Sequence, residues 1–508
     1  MLELFFESFV AICTPITLLL MLGGTALGIL CGALPGITAT LAVALCLPFS
    51  FGMQPIVGFA MLVSVYIGAI SGGLISAVLL NIPGTGASVA TTFDGHPLAK
   101  RGEAGKALGV GIVFSFLATV FSIIILVFLA PVIAKMAVKF GAMEYFSLAF
   151  FSITLIASLA GKSILKGLVS GCIGMGLAMV GAAPLDGLSR FTLGFSQLNA
   201  GLNLTAALVG IFAIPEVLKA AESQDSSIID SAKIKIKGFG FTMKEFKGQI
   251  KNFFVASLIG TGIGILPAIG GGTSNILAYG AIRGMSKYPE KFGTGIIDGV
   301  VASETANNAS IGGAMVPLLT LGIPGDSITA VMLGAFMVHG LQPGPVLFRN
   351  NPQLIYSIFV AMVISTFMMV VIEFGFMRVF IRLLRIPGYI LLPLVLVLCV
   401  IGAFSINNRI FDVWVFLVCG IVGVILSKAN YPQAPIILGF ILCPFVEIYL
   451  RRGMQFARGN FLEFFKSPIV CVFIFAGVLT VLINLYKYFK AFTAFTKGKA
   501  AEMDGVND

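Results

Sequence analysis

The sequence predicts an all-α polytopic membrane protein, with two inverted-topology repeats whose broken or re-entrant helices meet near the membrane midplane. Three observations carry that expectation: a composition that water solvates poorly, apolar runs of membrane length, and short Gly-Pro blocks that recur in both halves of the chain. Of the 508 residues, 58% are apolar and 11% charged, and the mean hydropathy is +1.04. A soluble domain carries about 25% charged residues, and a chain so poor in charge cannot clothe several globular surfaces. Lys plus Arg number 32 against 22 Asp plus Glu, yet no basic patch is interleaved with stacking aromatics, so no nucleic-acid partner is expected. The excess reads as loop charge that sets topology in a lipid bilayer.

Glu3 and Glu7 precede the first apolar run, where a secretory signal would carry Lys or Arg, so this segment is expected to stay as a spanning helix. Apolar stretches lie near 8–30, 54–80, 107–134, 143–160, 164–182, 199–220, 252–268, 294–322, 327–348, 353–381, 386–404, 410–427, 432–450 and 467–489. They are continuous rather than alternating, which makes them helices and not barrel strands, and about a dozen crossings follow. The expected divisions are a first membrane repeat at 1–220, a basic cytoplasmic linker at 221–251, a second membrane repeat at 252–489 and a cytoplasmic tail at 490–508. Lys233, Lys235, Lys237, Lys244, Lys247 and Lys251 in the linker, with Lys490, Lys497 and Lys499 in the tail, place both inside by the positive-inside rule. The eight cysteines are scattered through apolar runs without CxxC spacing and read as core packing.

The repeat shows in short blocks. Gly28, Gly32 and Leu34-Pro35 recur as Gly260, Gly264 and Leu266-Pro267, and Gly72-Gly73 with Ile82-Pro83-Gly84 recur as Gly312-Gly313 with Ile323-Pro324-Gly325. In the first half the loop at Phe51 to Pro55 is uncharged and the loop after the Ile-Pro-Gly block carries Lys100, Arg101 and Lys106. The second half reverses this, with Arg283, Lys287 and Lys291 before its Gly-Gly segment and no Lys or Arg from His339 to Pro345. If basic loops face the cytoplasm, equivalent segments run in opposite directions, as in many secondary transporters.

Pro and Gly within a spanning segment free backbone groups that lipid cannot satisfy, so such breaks are expected to line a cavity or pack on protein. Four occur: Leu34-Pro35-Gly36, Ile82-Pro83-Gly84-Thr85-Gly86, Leu266-Pro267-Ala268 with Gly270-Gly271-Gly272, and Ile323-Pro324-Gly325-Asp326. Small polar residues follow each one, namely Thr38 and Thr40, Ser88, Thr273-Ser274-Asn275, and Ser327. That composition suits the N-terminus of a half-helix, where free N–H groups and the positive dipole end favour an anion. These break residues are the candidate substrate site; the alternative reading is that small residues permit tight helix crossing.

A second signal is Ser303-Glu304-Thr305-Ala306-Asn307-Asn308-Ala309-Ser310, polar within an apolar segment. Such a cluster is costly in lipid and implies a substrate or ion pathway. Glu304, Asn307 and Asn308 share one helical face and are candidate cation ligands with Asp326; a sodium site at Glu304, Asn308 and Asp326 is one arrangement, and a structural hydrogen-bond network is the other. No Lys or Arg occurs from Gly32 to Ala99, from Gly260 to Ile282 or from Phe292 to Phe348. An anion in these regions must be held by backbone N–H groups and Ser, Thr or Asn side chains. Inward movement of each negative charge costs about 2.3 kcal/mol per 100 mV, so accumulation of a polyanion requires accompanying cations. Glu373, Asp186, Asp412 and Glu447 are read as solvated or paired near segment ends, Arg378, Arg382 and Arg385 as a helix end at the interface, and His96 and His339 as structural loop residues.

These blocks resemble the large membrane subunit of the tripartite tricarboxylate transporter family. The matching motifs are Gly32-Ala33-Leu34-Pro35-Gly36, Ile82-Pro83-Gly84-Thr85, Asp94-Gly95-His96-Pro97-Leu98-Ala99-Lys100, Ser303 to Asn308, and Gly340-Leu341-Gln342-Pro343-Gly344-Pro345, which span both halves. Ala268 stands in the second repeat where Gly36 stands in the first. The resemblance implies a permease of the bacterial inner membrane, working with a small four-helix membrane subunit and a periplasmic substrate-binding protein. It implies cation-coupled uptake of di- or tricarboxylates such as citrate, with sodium or a proton as the coupling ion and no other cofactor. The rival functions are a passive carboxylate channel and an intramembrane enzyme. The aspartyl Gly-x-Gly-Asp turn and the serine Gly-x-Ser-Gly motif of intramembrane proteases are both missing at Asp326 and Ser71.

Overall fold

Runs of Leu, Ile, Val and Ala fold as helices, and Pro, Gly and small polar residues separate them. The computed structural model describes residues 2–34, 37–155, 164–222, 240–266, 270–383, 388–405, 407–483 and 486. Pro35, Gly36, Pro267, Ala268, Arg385, residues 223–239 of the linker and the tail from 490 onward lie outside the described residues, as do the side chains of Arg378 and Arg382.

In chain order the helices are α1 (Leu2–Ile12), α2 (Pro15–Ala33), α3 (Ala39–Ser50), α4 (Pro55–Leu80), α5 (Val89–Leu98), α6 (Ala104–Ala137), α7 (Ala142–Leu155) and α8 (Ile164–Ala178). A two-residue antiparallel pair follows, β1 (Gly181–Ala182) and β2 (Ser189–Arg190), then α9 (Leu204–Glu222), α10 (Met243–Ile265), α11 (Gly270–Met285), α12 (Ile297–Leu321) and α13 (Ser327–Val338). The remainder is α14 (Pro345–Asn350), α15 (Pro352–Leu383), α16 (Gly388–Ser405), α17 (Ile410–Lys428), α18 (Gln433–Phe456) and α19 (Pro468–Ile483). Among the described residues, five helical stretches are long and apolar enough to cross a membrane: Pro15–Ala33, Pro55–Leu80, Gly86–Ala137, Pro352–Met377 and Ile410–Lys428. The apolar pattern marked more stretches than this, some of which are shorter helices such as Ser327–Val338 and Pro468–Ile483. It also left α3, α5 and α11, the short helices beside the breaks, unmarked.

The chain forms two compact units, each built from two stretches. One comprises Lys139–Leu204 and Ile425–Asp508. There Gly174 lies against the Ile436 backbone and Gly439 against that of Gly171, bringing α8 and α18 together. Arg190 is bonded to Glu447 by two guanidinium N–H groups at 2.9 and 3.1 Å, and Arg451 to Asp186 at 2.8 Å. Asp186 and Glu447 are thus paired, as expected.

The other unit comprises Met1–Val138 and Thr205–Val424. Its centre repeats one packing arrangement. α2 and α4 run parallel with their backbones in contact: a Cβ on Gly28 would lie 2.3 Å from the Val65 carbonyl oxygen, and one on Gly72 2.3 Å from that of Ile29. α10 and α12 do the same, with Gly260 at Ala306 (2.3 Å) and Gly313 at Thr261 (2.5 Å). Such close approach admits only small residues. The structure also corrects the repeat register. Gly72 takes the place of Gly313 rather than Gly312, because Ile29 and Thr261 are their respective partners. Gly84 and Gly325 then correspond too, each meeting the carbonyl of an equivalent glycine, Gly32 and Gly264.

Beyond its break, α5 advances alongside α4, with Thr85 and Ser88 beside Gly73 and Gly95 beside Val78. It runs against α12, with Thr91 at Glu304 and Asp94 against Gly299. α4 and α12 therefore point in opposite directions.

Candidate functional site

Three of the four breaks act as caps as well as interruptions; the fourth, at Pro267-Ala268, lies outside the described residues. Thr38 Oγ1 accepts the Leu41 N–H at 3.2 Å and starts α3. Ser88 Oγ donates to the Thr85 carbonyl at 3.0 Å and accepts the Thr85 N–H at 3.2 Å, closing the turn Gly86–Ser88. Asp326 is the N-cap of α13: its Oδ1 accepts the Thr329 N–H and hydroxyl, both at 2.7 Å, and Thr329 Oγ1 accepts the Asp326 N–H at 2.8 Å. Capping satisfies helix donors that lipid would leave bare.

Each half then contributes a short helix to the break of the other. Thr40 of α3 is bonded to Ser327 at the start of α13, Oγ to Oγ at 2.8 Å. Across the pseudo-equivalent junction, α11 meets the turn Gly86–Ser88: Gly271 faces Ala87, and Gly272 faces the Gly86 carbonyl. Asn275 fastens this contact, accepting the Ala90 N–H at 3.2 Å and donating to the Gly271 and Gly272 carbonyls at 2.8 and 3.0 Å. Ser274 donates to the Gly271 and Ala306 carbonyls. Gly270, at φ +60°, packs against the Asp326 side chain, where a side chain of its own would be both strained and obstructed.

Many of the expected substrate residues thus have structural hydrogen bonds, while the side-chain amide of Asn307, beside the N-terminus of α11, has none. Thr273 and Gly86 are exposed there and Gly272 is half-buried; Pro83 is half-buried too, as are Thr38 and Ser327 at the α3–α13 junction. Gly84, Pro324 and Gly325 are buried behind them. Asn307 of α12 is wholly buried, its amide oxygen lies toward Gly271, and neither its Oδ1 nor its Nδ2 has a partner. A buried amide left unsatisfied costs about 1–3 kcal/mol, and this one keeps both its donor and its acceptor capacity open. No Lys or Arg lies in this part of the sequence.

Glu304 faces a different direction from Asn307. Its Oε1 accepts from the Thr91 hydroxyl of α5, and its Oε2 from Ser115 of α6 at 3.2 Å and the Asn308 amide at 3.4 Å. Asn308 also donates to Ser115 Oγ at 2.8 Å, while its Oδ1 and Thr305 Oγ1 have no partner. Glu304 and Asn308 are fully buried, and every donor to the carboxylate is neutral. A buried carboxylate without a cationic partner is costly unless it takes up a cation or a proton.

Asp326 is bonded elsewhere, accepting from the Tyr66 hydroxyl of α4 at 2.7 Å in addition to its cap. No hydrogen bond among the described residues joins it to the Glu304 cluster, and no three His, Cys, Asp or Glu side chains gather there as metal donors. Thr91, Ser115 and Tyr66 escaped sequence reasoning, being lone hydroxyls in apolar helices.

Asp94 holds the loop ahead of α12. Its Oδ1 accepts the N–H groups of Gly293, Gly295 and Ile296 at 3.0, 2.7 and 3.0 Å, and its Oδ2 the Tyr279 hydroxyl at 2.8 Å. His96 lies in α5 rather than in a loop, its Nδ1 3.0 Å from the Val78 carbonyl oxygen. Glu373 departs from expectation: it is fully buried in α15, and neither carboxyl oxygen has a hydrogen-bond partner.

The model of the tripartite tricarboxylate transporter TctA family matches residues 18–438. The chain belongs to that family. It is therefore a transporter subunit and not an enzyme, and the TctA-family match covers every element of the site above. An uncharacterised 52.8 kDa protein from the TAR-I ttuC′ 3′ region of Agrobacterium vitis is 35% identical over 472 residues, covering 93% of this chain and 94% of that protein. An uncharacterised protein from the TAR-II ttuC′ 3′ region of the same organism is 36% identical over 226 residues, 44% of this chain and 93% of its own length. No solved structure matches this TctA-family chain.

Proposed function

We propose that this TctA-family chain is the permease of a binding-protein-dependent secondary transporter that takes up di- or tricarboxylates such as citrate across the bacterial inner membrane, coupled to sodium or protons. Its partners in this reading are a small four-helix membrane subunit and a periplasmic substrate-binding protein. The observation that carries the reading is the unpartnered Asn307 amide at the glycine-rich start of α11, beside exposed Gly86 and Thr273. Free N–H groups at the positive end of a helix dipole recognise a carboxylate without an arginine. Glu304, with Asn308 and the Thr305 hydroxyl, is the cation side of the same helix.

Two arrangements support inverted repeats and alternating access. α4 and α12 run in opposite directions, and short helices are exchanged between halves at the breaks. The basic loops also share one end of this unit: Lys106 is paired with Glu245 at 2.6 Å, and Arg101 donates to the Gly295 carbonyl at 2.7 Å. That is the clustering which cytoplasmic loops require.

Proteoliposomes containing the complete transporter and its receptor provide the test. Accumulation of labelled citrate or another di- or tricarboxylate above equilibrium, driven by an inward sodium or proton gradient, is expected. Equilibration without accumulation would identify a passive channel instead.

A further inference from the structure

The sites above make no use of Glu373. It lies in α15, wholly buried, with both carboxyl oxygens lacking a hydrogen-bond partner. The Ser71 hydroxyl of α4 interacts with it and is likewise buried without a formed hydrogen bond. α15 and α4 run parallel here, held by the Ser64–Ser365 hydroxyl pair at 2.6 Å and by apolar contacts of Ala60 with Val360 and Ala361. Ser71 immediately precedes Gly72, where α4 closes on α2.

Among the described side chains no counter-charge faces it; Arg378 and Arg382, farther along α15, have side chains outside the described residues. α2 and α4 contain no Asp, Glu, Lys, Arg or His. α6 has its two lysines, Lys106 and Lys135, near opposite ends, α1 has Glu3 and Glu7, and α14 has Arg349. Among the described residues, the charged group within electrostatic reach of Glu373 is Glu304 of α12, of like sign. Glu304 is supplied with three neutral donors; Glu373 has no such shell. A sodium ion needs several oxygen ligands, whereas a proton needs only the carboxylate itself, and a buried carboxyl without partners is stable in the neutral form.

We infer that Glu373 is a proton-binding site of the transport cycle, carrying one proton inward between α4 and α15 and communicating electrostatically with Glu304. The inference rests on the symport reading and assigns its proton. Uptake of H⁺ from the outer aqueous side converts the carboxylate to the neutral acid; release to the inner side restores the carboxylate, so one positive charge moves per cycle. Because Glu304 and Glu373 are like-charged when ionised, occupancy of the Glu304 site by a cation favours loss of the proton from Glu373, which links the two sites without contact between them.

Infrared difference spectroscopy of the purified full-length chain, wild type minus E373Q at neutral pH, reads the proton directly. The expected spectrum contains the carbonyl stretch of a protonated acid; a difference composed of the two carboxylate stretches would overturn the inference. Where E373Q does not fold, E373D supplies the comparison, and the expected result is a displaced protonated-acid band. In proteoliposomes of the whole complex, E373Q is expected to lose the response of carboxylate uptake to an inward proton gradient, and a wild-type response would overturn the inference. A wild-type complex that moves no carboxylate defeats the transport reading, while the infrared difference still decides the state of Glu373.

Discussion

Tyr66 of α4 donates its hydroxyl to Asp326 Oδ2 at 2.7 Å, so the middle of α4 is fastened to the cap that opens α13. Tyr66→Phe keeps the ring and removes the donor. One oxygen of a buried carboxylate then faces an apolar edge, at a cost of about 1–3 kcal/mol. A lower unfolding temperature of the purified chain is expected, with reduced uptake; unchanged melting would show that the tie contributes nothing.

The helix crossings make a steric prediction. Gly28→Ala places a methyl group 2.3 Å from the Val65 carbonyl oxygen, whereas Gly23→Ala on the same helix meets nothing within 4 Å. Backbone cannot yield as a side chain can, so Gly28→Ala should destabilise by at least about 1–3 kcal/mol, and Gly23→Ala should be neutral or slightly stabilising. Gly260→Ala should behave as Gly28→Ala does, since it meets the Ala306 carbonyl in the same way. Thermal unfolding of the three variants checks the equivalence.

Asp94 receives four donors, and Asp94→Ala would leave three N–H groups of the loop before α12 without their acceptor. Faster limited proteolysis between Ser286 and Ile296 is expected, together with lower uptake. Cleavage at the wild-type rate would mean that the loop is held by other contacts.

Glu245, outside the spanning segments, predicts a pH dependence. The Lys106 ammonium, followed by the Thr242 backbone N–H, holds its carboxyl down from 4.5 to about 2. A depressed folded-state value stabilises the protein above the unfolded value and is lost as pH falls. The contribution should therefore fade between pH 4.5 and about 2, and Glu245→Gln should flatten the unfolding-temperature profile in that window. A profile as steep as that of the wild type would contradict the assignment.

The main lines of this architecture were legible because lipid restricts the chain so severely. Gly28, Gly32, Gly260 and Gly264, read in the sequence as recurring blocks, lie at the helix crossings, and the Pro-Gly blocks announced the breaks. The register slip at Gly312-Gly313 arose because adjacent glycines look alike in sequence, while only one of them faces the partner carbonyl. Asn307 and Asn308 could not be separated for a similar reason: one residue along a helix turns the side chain by roughly 100°, enough to direct one toward α11 and the other toward Ser115. Glu373 was misread because it sits near the end of the apolar stretch 353–381, whereas burial depends on what α4 and α15 bring together.

The central claim is that a carboxylate of the cargo occupies the glycine-rich start of α11 opposite Asn307. Asn307→Asp leaves volume almost unchanged and sets a negative charge where that carboxylate would bind. The deciding measurement is gradient-driven accumulation of a labelled di- or tricarboxylate in proteoliposomes of the complete transporter, wild type beside N307D of equal yield and monodispersity. The account predicts accumulation in the wild type and none in N307D; equal accumulation by both would contradict it.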